Sequence, residues 1–458
     1  MNGIPAALVQ HAWEAIADGT RHEGGGLRLT GPRVTLPARF DVTGLAVGAV
    51  SCAMLAAARL LAERQGSDIA PDVRIDSREA SVAFASESRF MPVGWERPPL
   101  WDPIAGNYRT SDGWIRLHTN YPHHRTAVET LLDAADRDTV QERVSSLSAV
   151  ELEQAVVDAG GAAAAMRSRE QWLETEAGAA TIHAPVATTT WRDATGDAKW
   201  ADGVELPFQG LRVLDLTRVI AGPVCTKFLA GHGADVLRID PPGFEEVASV
   251  LPETTAGKRT AMLDLTTTDG HTRFDALVTD AHVLVCGLRA DALARLGYDD
   301  ERLRSLNPDL VVARLDAYGW SGPWRDRRGF DNLVQMSSGI AANGPDDGSA
   351  PVPLPVQALD HATGWLLGAA IARSLTRRLT ENRTATVHAS LIGTANLLFS
   401  LPRPEDSPDP ESLEEVPLVE RSTAWGRLRA VGPAGHIHGV SPALRHDAGP
   451  LGRHEARW

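Results

Sequence analysis

The residues that could do chemistry cluster around one stretch. From Leu211 the chain reads LRVLDLTRVIAGPVCTKFLAGHGADVLRID. Two short apolar runs flank a small-residue segment that turns at Ala221-Gly222-Pro223 and continues as a helix, which makes the stretch a β-α-β unit. Such a turn brings backbone close to a ligand, and the free N–H groups and dipole of the helix start favour an anion. Arg238, Lys258 and Arg259 fall in or near the predicted strands, and arginine and lysine both suit phosphates, the one bidentate and the other as a point charge. Further along, Asp360 opens a glycine-containing helix, LDHATGWLLGAA, where a carboxylate ordinarily acts as a cap. No GxGxxG follows Leu216, which argues against a nicotinamide cofactor with Asp240 on its ribose. The histidines, His123-His124 included, lack metal-ligand spacing such as HExxH, and no metal is expected.

The elements that must position these residues follow from periodicity. RVLDLT, DVLRID, RTAMLDL, HVLVCGL and LVVARLDAYG have the near-continuous apolar character of buried parallel strands. Helices are predicted over Val224–His232, Gly270–Thr279 and Asp300–Leu306. The region 203–315 therefore reads as α/β, a doubly wound parallel sheet. The turn-rich stretch 191–208 is the best internal boundary, and the proline-rich, acidic stretch 402–417 reads as an exposed linker. A faint repeat links TGLAVGAVSCAML from Thr43 to TGWLLGAAIARSL from Thr363, each a helix followed by a polar break. Strand-like segments come next, VRIDSREASVAFA from Val73 and VHASLIGTANLLF from Val387.

A chain of 458 residues exceeds one hydrophobic core. A formal net charge of −14 argues against general nucleic-acid binding. Cys52, Cys225 and Cys286 lie far apart and read as reduced thiols. The start, MNGIPAALVQHAWEAIADG, lacks the basic-then-apolar pattern of a signal peptide. The alanine-rich stretch 44–61, interrupted by Ser51 and Arg59, fits a buried helix better than a membrane span. The expectation is a cytoplasmic protein without membrane contact.

Several motifs join the first in order: AGKRTAMLDL from Ala256, LRADALARLGY from Leu288, LDAYGWSGPWRDRRGFDNLVQMSSG from Leu315, LPVQALDHATGWLLGAAIARSLTRR from Leu354 and GPLGRH from Gly449. Together they resemble the class III CoA-transferase family, which includes formyl-CoA and carnitine CoA-transferases and the α-methylacyl-CoA racemases. The resemblance runs over roughly 208–400 as the family's nucleotide-fold half. It continues over 36–195 as its later half, so the halves stand in permuted order with the post-aspartate helix present twice. It implies a Rossmann-like large domain and a smaller α+β domain, divided as 1–95 for N-terminal helices packing on the large domain, 96–200 for the small domain, 201–400 for the CoA-binding domain and 401–458 for linker and tail.

The resemblance also implies coenzyme A as the substrate carrier, with acyl-CoA and carboxylic acid substrates, and a homodimer in which the chains interlock. By position, Asp360 matches the family's nucleophile. Ala221, Gly222, Pro223, Arg238, Lys258, Arg259 and Arg289 match its CoA-binding positions. The family's Asn-Phe-Arg-Pro-Gly loop reads Gly287-Leu288-Arg289-Ala290-Asp291 here and keeps only the arginine. The racemase histidine is replaced by Phe330, and His361 beside Asp360 reads as a supporting or surface residue. In the N-terminal copy, Phe40 falls where Asp360 lies and Asp41 is one place off, so that copy reads as structural. The implied activity is transfer of CoA from a thioester to an acid. Racemisation of an acyl-CoA and silent CoA binding are the alternatives.

Overall fold

The structure is a computed structural model and describes residues 6–16, 25–196, 198, 200, 203–342, 349–402, 413–414 and 416–458. Most of the predicted linker at 402–417 lies outside these residues. The chain folds as a mixed α/β protein around a large, parallel-rich sheet. Its seven strands are β1 (Ala187–Asp193), β2 (Arg212–Leu216), β3 (Asp235–Asp240), β4 (Arg259–Met262), β5 (Val283–Cys286), β6 (Val311–Asp316) and β7 (Arg383–Ser390). The spatial order is β4-β3-β2-β5-β6-β7-β1, parallel except where β1 runs antiparallel to β7. The strand order reverses direction between β2 and β5, and in open parallel sheets ligands bind beyond the strand ends at such a reversal.

Alternate residues of each strand enter different cores, as a pleated strand buried on both faces requires. Val213, Val283 and Ala313 face one cluster, while Leu214, Leu284 and Val312 face another with Phe274, Leu277 and Leu303. The first cluster is built on four helices, α1 (Val42–Arg64), α2 (Ala221–Gly231), α4 (Ala358–Thr380) and α5 (Leu391–Ser400); α3 (Asp331–Ser338) precedes α4. α1 is apolar almost all round, α4 is buried along most of its length, and the two pack along one another. α1 is long and apolar enough to cross a membrane, yet 94% of its most apolar window is buried inside the protein.

A strand and then a helix follow each of the two long helices, with one correction to the sequence reading. The strand-like segments after the two long helices are strands only over Val73–Asp76 and Arg383–Ser390. Each then turns into a helix, Ser77–Ala83 and α5, capped by the side chains of Asp76 and Ser390. The predicted helix at Val224–His232 starts earlier, at Ala221, so the turn residues form its first turn. The helix predicted at Gly270–Thr279 spans Thr268–Asp280, and that at Asp300–Leu306 has those bounds.

Next to the large sheet, Gly106–Arg109, Trp114–Leu117 and Ala163–Ala165 form a small antiparallel sheet. Three helices, Pro122–Leu132, Arg137–Val144 and Ala149–Asp158, pack around it on a separate core that includes Tyr108, Ile115, Val128 and Val156.

Close packing of α2 on α4 depends on missing side chains. A Cβ at Gly364 would overlap the carbonyl oxygen of Ala221, and one at Gly368 would press on the ring of Phe228. Backbone cannot give way as a side chain can. Gly364→Ala should therefore lower the unfolding free energy by about 1–3 kcal/mol in a denaturant titration, despite alanine's better helix propensity. An unchanged midpoint would show that the helices can separate at no cost.

Candidate functional site

A cleft of about 340 Å³ opens at the strand-order reversal. Its floor and walls come from the loop after β2 (Arg218, Val219, Ile220) with the first turn of α2, the loop after β5 (Gly287, Leu288, Arg289) and the end of β6 (Asp316). Phe330 and Asp360 close one side, and Tyr121, His123 and His124 from the small-sheet region close another. Asp360 also borders an inner chamber of about 30 Å³, shared with Glu87, His118 and Asp331. A space of that size has room for roughly one water molecule.

Asp360 lies in the first turn of α4 rather than at its cap, which is Gln357. The capping carboxylate is Asp331, whose Oδ2 accepts the backbone N–H groups of Leu359 (2.8 Å) and Asp360 (3.0 Å). Its Oδ1 accepts the side-chain amide of Gln335. The Asp360 side chain is left for the cleft: among the described residues its carboxylate has no hydrogen bond or ion pair. Burial and the nearby carboxylates of Asp331 and Glu87 raise its pKa well above the usual aspartate range. Asp331 is itself raised to about 6, chiefly by burial. A second carboxyl in the cleft behaves similarly. Burial pushes Asp316 up to about 7, one oxygen accepting Gly319 N–H (2.9 Å) and the other without a partner.

The predicted site residues divide into two groups. Asp360, Ala221 and Arg289 line the cleft together, with Gly222 and Pro223 following Ala221 in the same helix turn. Arg238, Lys258 and Arg259 do not line it; their charges are used inside the protein. The Lys258 ammonium, 1% exposed, donates to Asp215 Oδ2 (3.0 Å), Thr226 Oγ1 (2.6 Å) and the carbonyl of Pro223 (3.1 Å). Arg238, fully buried, pairs with Asp240 (2.8 Å) and Glu246 (2.9 Å). Arg259 pairs with Asp235 (2.8 Å) on β3.

These pairs brace the cleft from behind. Glu246 accepts the Tyr121 hydroxyl (2.7 Å) and the backbone N–H of Val219 (3.1 Å). Val219 has φ = 62°, which a β-branched residue adopts only under strain, so the buried Arg238–Glu246 pair holds a strained backbone beside Asp360.

Cleft cations that the sequence reading missed are Arg218, Arg325, Arg327 and Arg328. Arg218 lies 3.7 Å over the ring of Phe244. Arg327 is turned to Glu153 and stacks on Trp324, and Arg325 pairs with Asp291 (3.0 Å). Burial first, and then the nearby Arg289 guanidinium, disfavour the charge of Arg328, and among the described residues no ion pair joins either arginine to a carboxylate. The run WRDRRGF was the available signal, since three arginines before Phe330 are more than a turn needs. Phe330 stacks face to face on His118 (centroids 3.7 Å apart). Burial lowers His118 to about 3 and His124 to about 2, so both imidazoles are neutral. His361 is neither at the surface nor in the cleft: it is 1% exposed, with Nε2 2.8 Å from Glu87 and its ring on Phe84.

Residues 208–403 match the family model of CoA-transferase family III. A probable fatty acyl-CoA transferase of Mycobacterium tuberculosis is 32% identical over 225 residues, covering 45% of this chain and 57% of the relative. A succinate–glutarate CoA-transferase of Agrobacterium fabrum is 32% identical over 205 residues (41% and 51%). A formyl-CoA:oxalate CoA-transferase of Rhodopseudomonas palustris is 30% identical over 194 (40% and 45%). The chain thus spans about half the length of the curated relatives it matches. Among solved structures, the M. tuberculosis protein aligns over 42% of this chain and 57% of its own, at 30% identity and a TM-score of 0.39. A CaiB/BaiF family protein from Brucella suis aligns over 48% and 65%, at 25% identity and a TM-score of 0.38. The family III segment holds Asp360, Arg289 and the turn at Ala221, whereas His118, Tyr121 and Glu87 come from outside it.

The bracing role of Lys258 can be tested without any substrate. Lys258→Met leaves Asp215 buried and unpaired, which should cost about 3–5 kcal/mol of stability in chemical denaturation. Adding Asp215→Asn to it should restore part of that loss. A Lys258→Met protein as stable as the parent would remove Lys258 from the bracing network.

Proposed function

We propose that this protein transfers CoA from an acyl-CoA thioester to a carboxylic acid, with Asp360 as the nucleophile. The observation that carries the proposal is the Asp360 carboxylate, buried at the cleft floor with no hydrogen-bond partner in a segment matching CoA-transferase family III. Ionised Asp360 attacks the thioester carbonyl; the C–S bond breaks, CoA leaves as thiolate, and a mixed anhydride remains. The thiolate then attacks the aspartyl carbonyl, releasing the donor's acid and leaving an aspartyl-CoA thioester. The acceptor carboxylate attacks the aspartyl-CoA carbonyl and expels CoA thiolate, forming a second mixed anhydride; the thiolate then attacks the acceptor's carbonyl carbon, which gives the new acyl-CoA and frees the Asp360 carboxylate. Splitting the exchange this way turns one hard step into easier ones.

The CoA phosphates on this reading are held by Arg289, Arg328 and Arg218 and by the free N–H groups at the start of α2. Arg238, Lys258 and Arg259 support that surface instead of touching it. The sheet is read as doubly wound and the family halves as permuted, with the region containing His118 and Tyr121 serving as the small domain over the cleft. The same reading includes a cytoplasmic homodimer, interlocked as in the family.

Incubation with a panel of acyl-CoA thioesters, followed by hydroxylamine or borohydride trapping, should modify the peptide carrying Asp360, as read by mass spectrometry. Asp360→Asn should abolish the adduct and reduce transfer by about 10³-fold or more. If CoA binds and no adduct forms with any donor, the reaction is not covalent transfer; deuterium wash-in at the α-carbon of a 2-methylacyl-CoA then tests racemisation.

The pH dependence has a definite sign. Asp360 must be ionised to attack and its pKa is raised, so the rate falls as pH drops through that raised value. Asp331→Asn removes the nearest like charge while keeping an oxygen to accept from α4, and should move the acidic limb of the pH–rate profile to lower pH. A limb that stays in place would mean that Asp331 does not share the titration.

A further inference from the structure

A second cavity, of about 460 Å³, shares α2 and α4 with the cleft but none of its lining residues. Its volume is within the range of small-molecule sites. It lies between α1, α2, α4 and the strands Leu418–Thr423 and Gly426–Val431, with Met54, Phe228, Leu428 and Leu444 among its apolar lining.

Three charged side chains line its buried part, and they do not balance. The Lys227 ammonium is paired with Glu253, whose carboxylate is shielded from bulk water. Arg421 is the second cation. One of its terminal nitrogens donates to the carbonyl of Val431 (2.9 Å) and the other has no acceptor. Arg421 acts on both members of the pair, stabilising the Glu253 carboxylate and opposing the Lys227 charge. His232 adds no charge, because burial lowers it to about 4 and its Nδ1 is bonded to the Phe228 carbonyl (2.9 Å). The indole N–H of Trp365, on the same wall, also lacks an acceptor. Glu420 and Asp447 border the cavity too, but both are exposed, where water and salt screen them.

Two cations against one carboxylate in an apolar enclosure leave one positive charge uncompensated, together with unused N–H donors. A buried charge in that state is costly, and buried donors without partners call for an explanation. One carboxylate would answer both. An apolar body must come with it, because most of the lining offers nothing polar.

We infer that this cavity is a second ligand site, for an amphipathic monocarboxylate of medium chain length, its head between Arg421 and Lys227 and its chain against Met54, Phe228, Leu428 and Leu444. The site uses no residue of the Asp360 chemistry and does not rest on the proposed reaction.

Isothermal titration calorimetry of the full chain with decanoate tests the inference. One decanoate should bind per chain, and decan-1-ol should bind about tenfold more weakly, a single charge-assisted contact being worth about that factor. Arg421→Ala should weaken decanoate to the level of the alcohol. Ala443→Trp, which puts bulk on the exposed part of the lining without touching a charge, should weaken both probes. No measurable decanoate binding would overturn the inference. So would equal decanoate affinity in the parent and both variants, since the acid would then be seated elsewhere.

Discussion

A lysine ammonium buried at 1% exposure has to be paired, and the architecture of the cleft depends on how Lys258 is paired. Its three partners belong to β2 and to the first turns of α2, so a single charge ties the strand end to the helix that follows it. Arg238 does the corresponding work one layer out, fixing Glu246, which holds both Val219 N–H and the Tyr121 hydroxyl. The strained φ at Val219 persists because both buried networks over-determine the loop around it. Breaking either pair would leave an uncompensated charge inside the protein. The turn is therefore held rigidly, and a rigid turn can present N–H groups to an anion in fixed positions.

The same economy of partners governs α4. Its first N–H groups need acceptors, and Asp331 supplies them from α3, which leaves Asp360 uncommitted. Two carboxylates this close, with Glu87 nearby, cannot all ionise cheaply in a buried setting. The outcome is a carboxyl whose ionised form is poorly solvated, the property that the proposed nucleophile would use. His361, which could have neutralised it, is turned away to Glu87.

How far the sequence could lead is clear from particular residues. The parallel strands were legible because Val, Leu and Ile fill them on both faces, a pattern that solvent-facing strands lack. The turn at Ala221 was legible through Gly222, and Asp360 through the small-residue helix behind it. The roles of Arg238 and Lys258 were not, because a basic residue on a strand reads identically whether its partner is a ligand or a carboxylate distant in sequence. Asp215 and Glu246 had no signal that singled them out, and only three-dimensional pairing shows that they consume those charges. Strand ends were misjudged at Val73 and Val387 for a different reason. SREASVA and LIGTANLL are apolar enough to continue a strand, and the side chains of Asp76 and Ser390 that cap the helices decide otherwise.

The starts of α1 and α4 show what separates a capping carboxylate from an uncommitted one. Asp41 caps α1, accepting from Gly44 N–H (2.8 Å), and is clamped by Arg33 through both terminal guanidinium nitrogens. Three donors occupy that carboxylate, and the Arg33 guanidinium balances its charge. At the start of α4 capping falls to Asp331 from a neighbouring helix, and among the described residues no ion pair or hydrogen bond holds the Asp360 carboxylate, which borders the cleft. The two helices pack against each other and both carry small residues, so packing does not distinguish their starts. Hydrogen-bond supply does: at Asp41 the donors and Arg33 commit the carboxylate to the cap, while at Asp360 the capping is done by Asp331, which leaves the second carboxylate uncommitted.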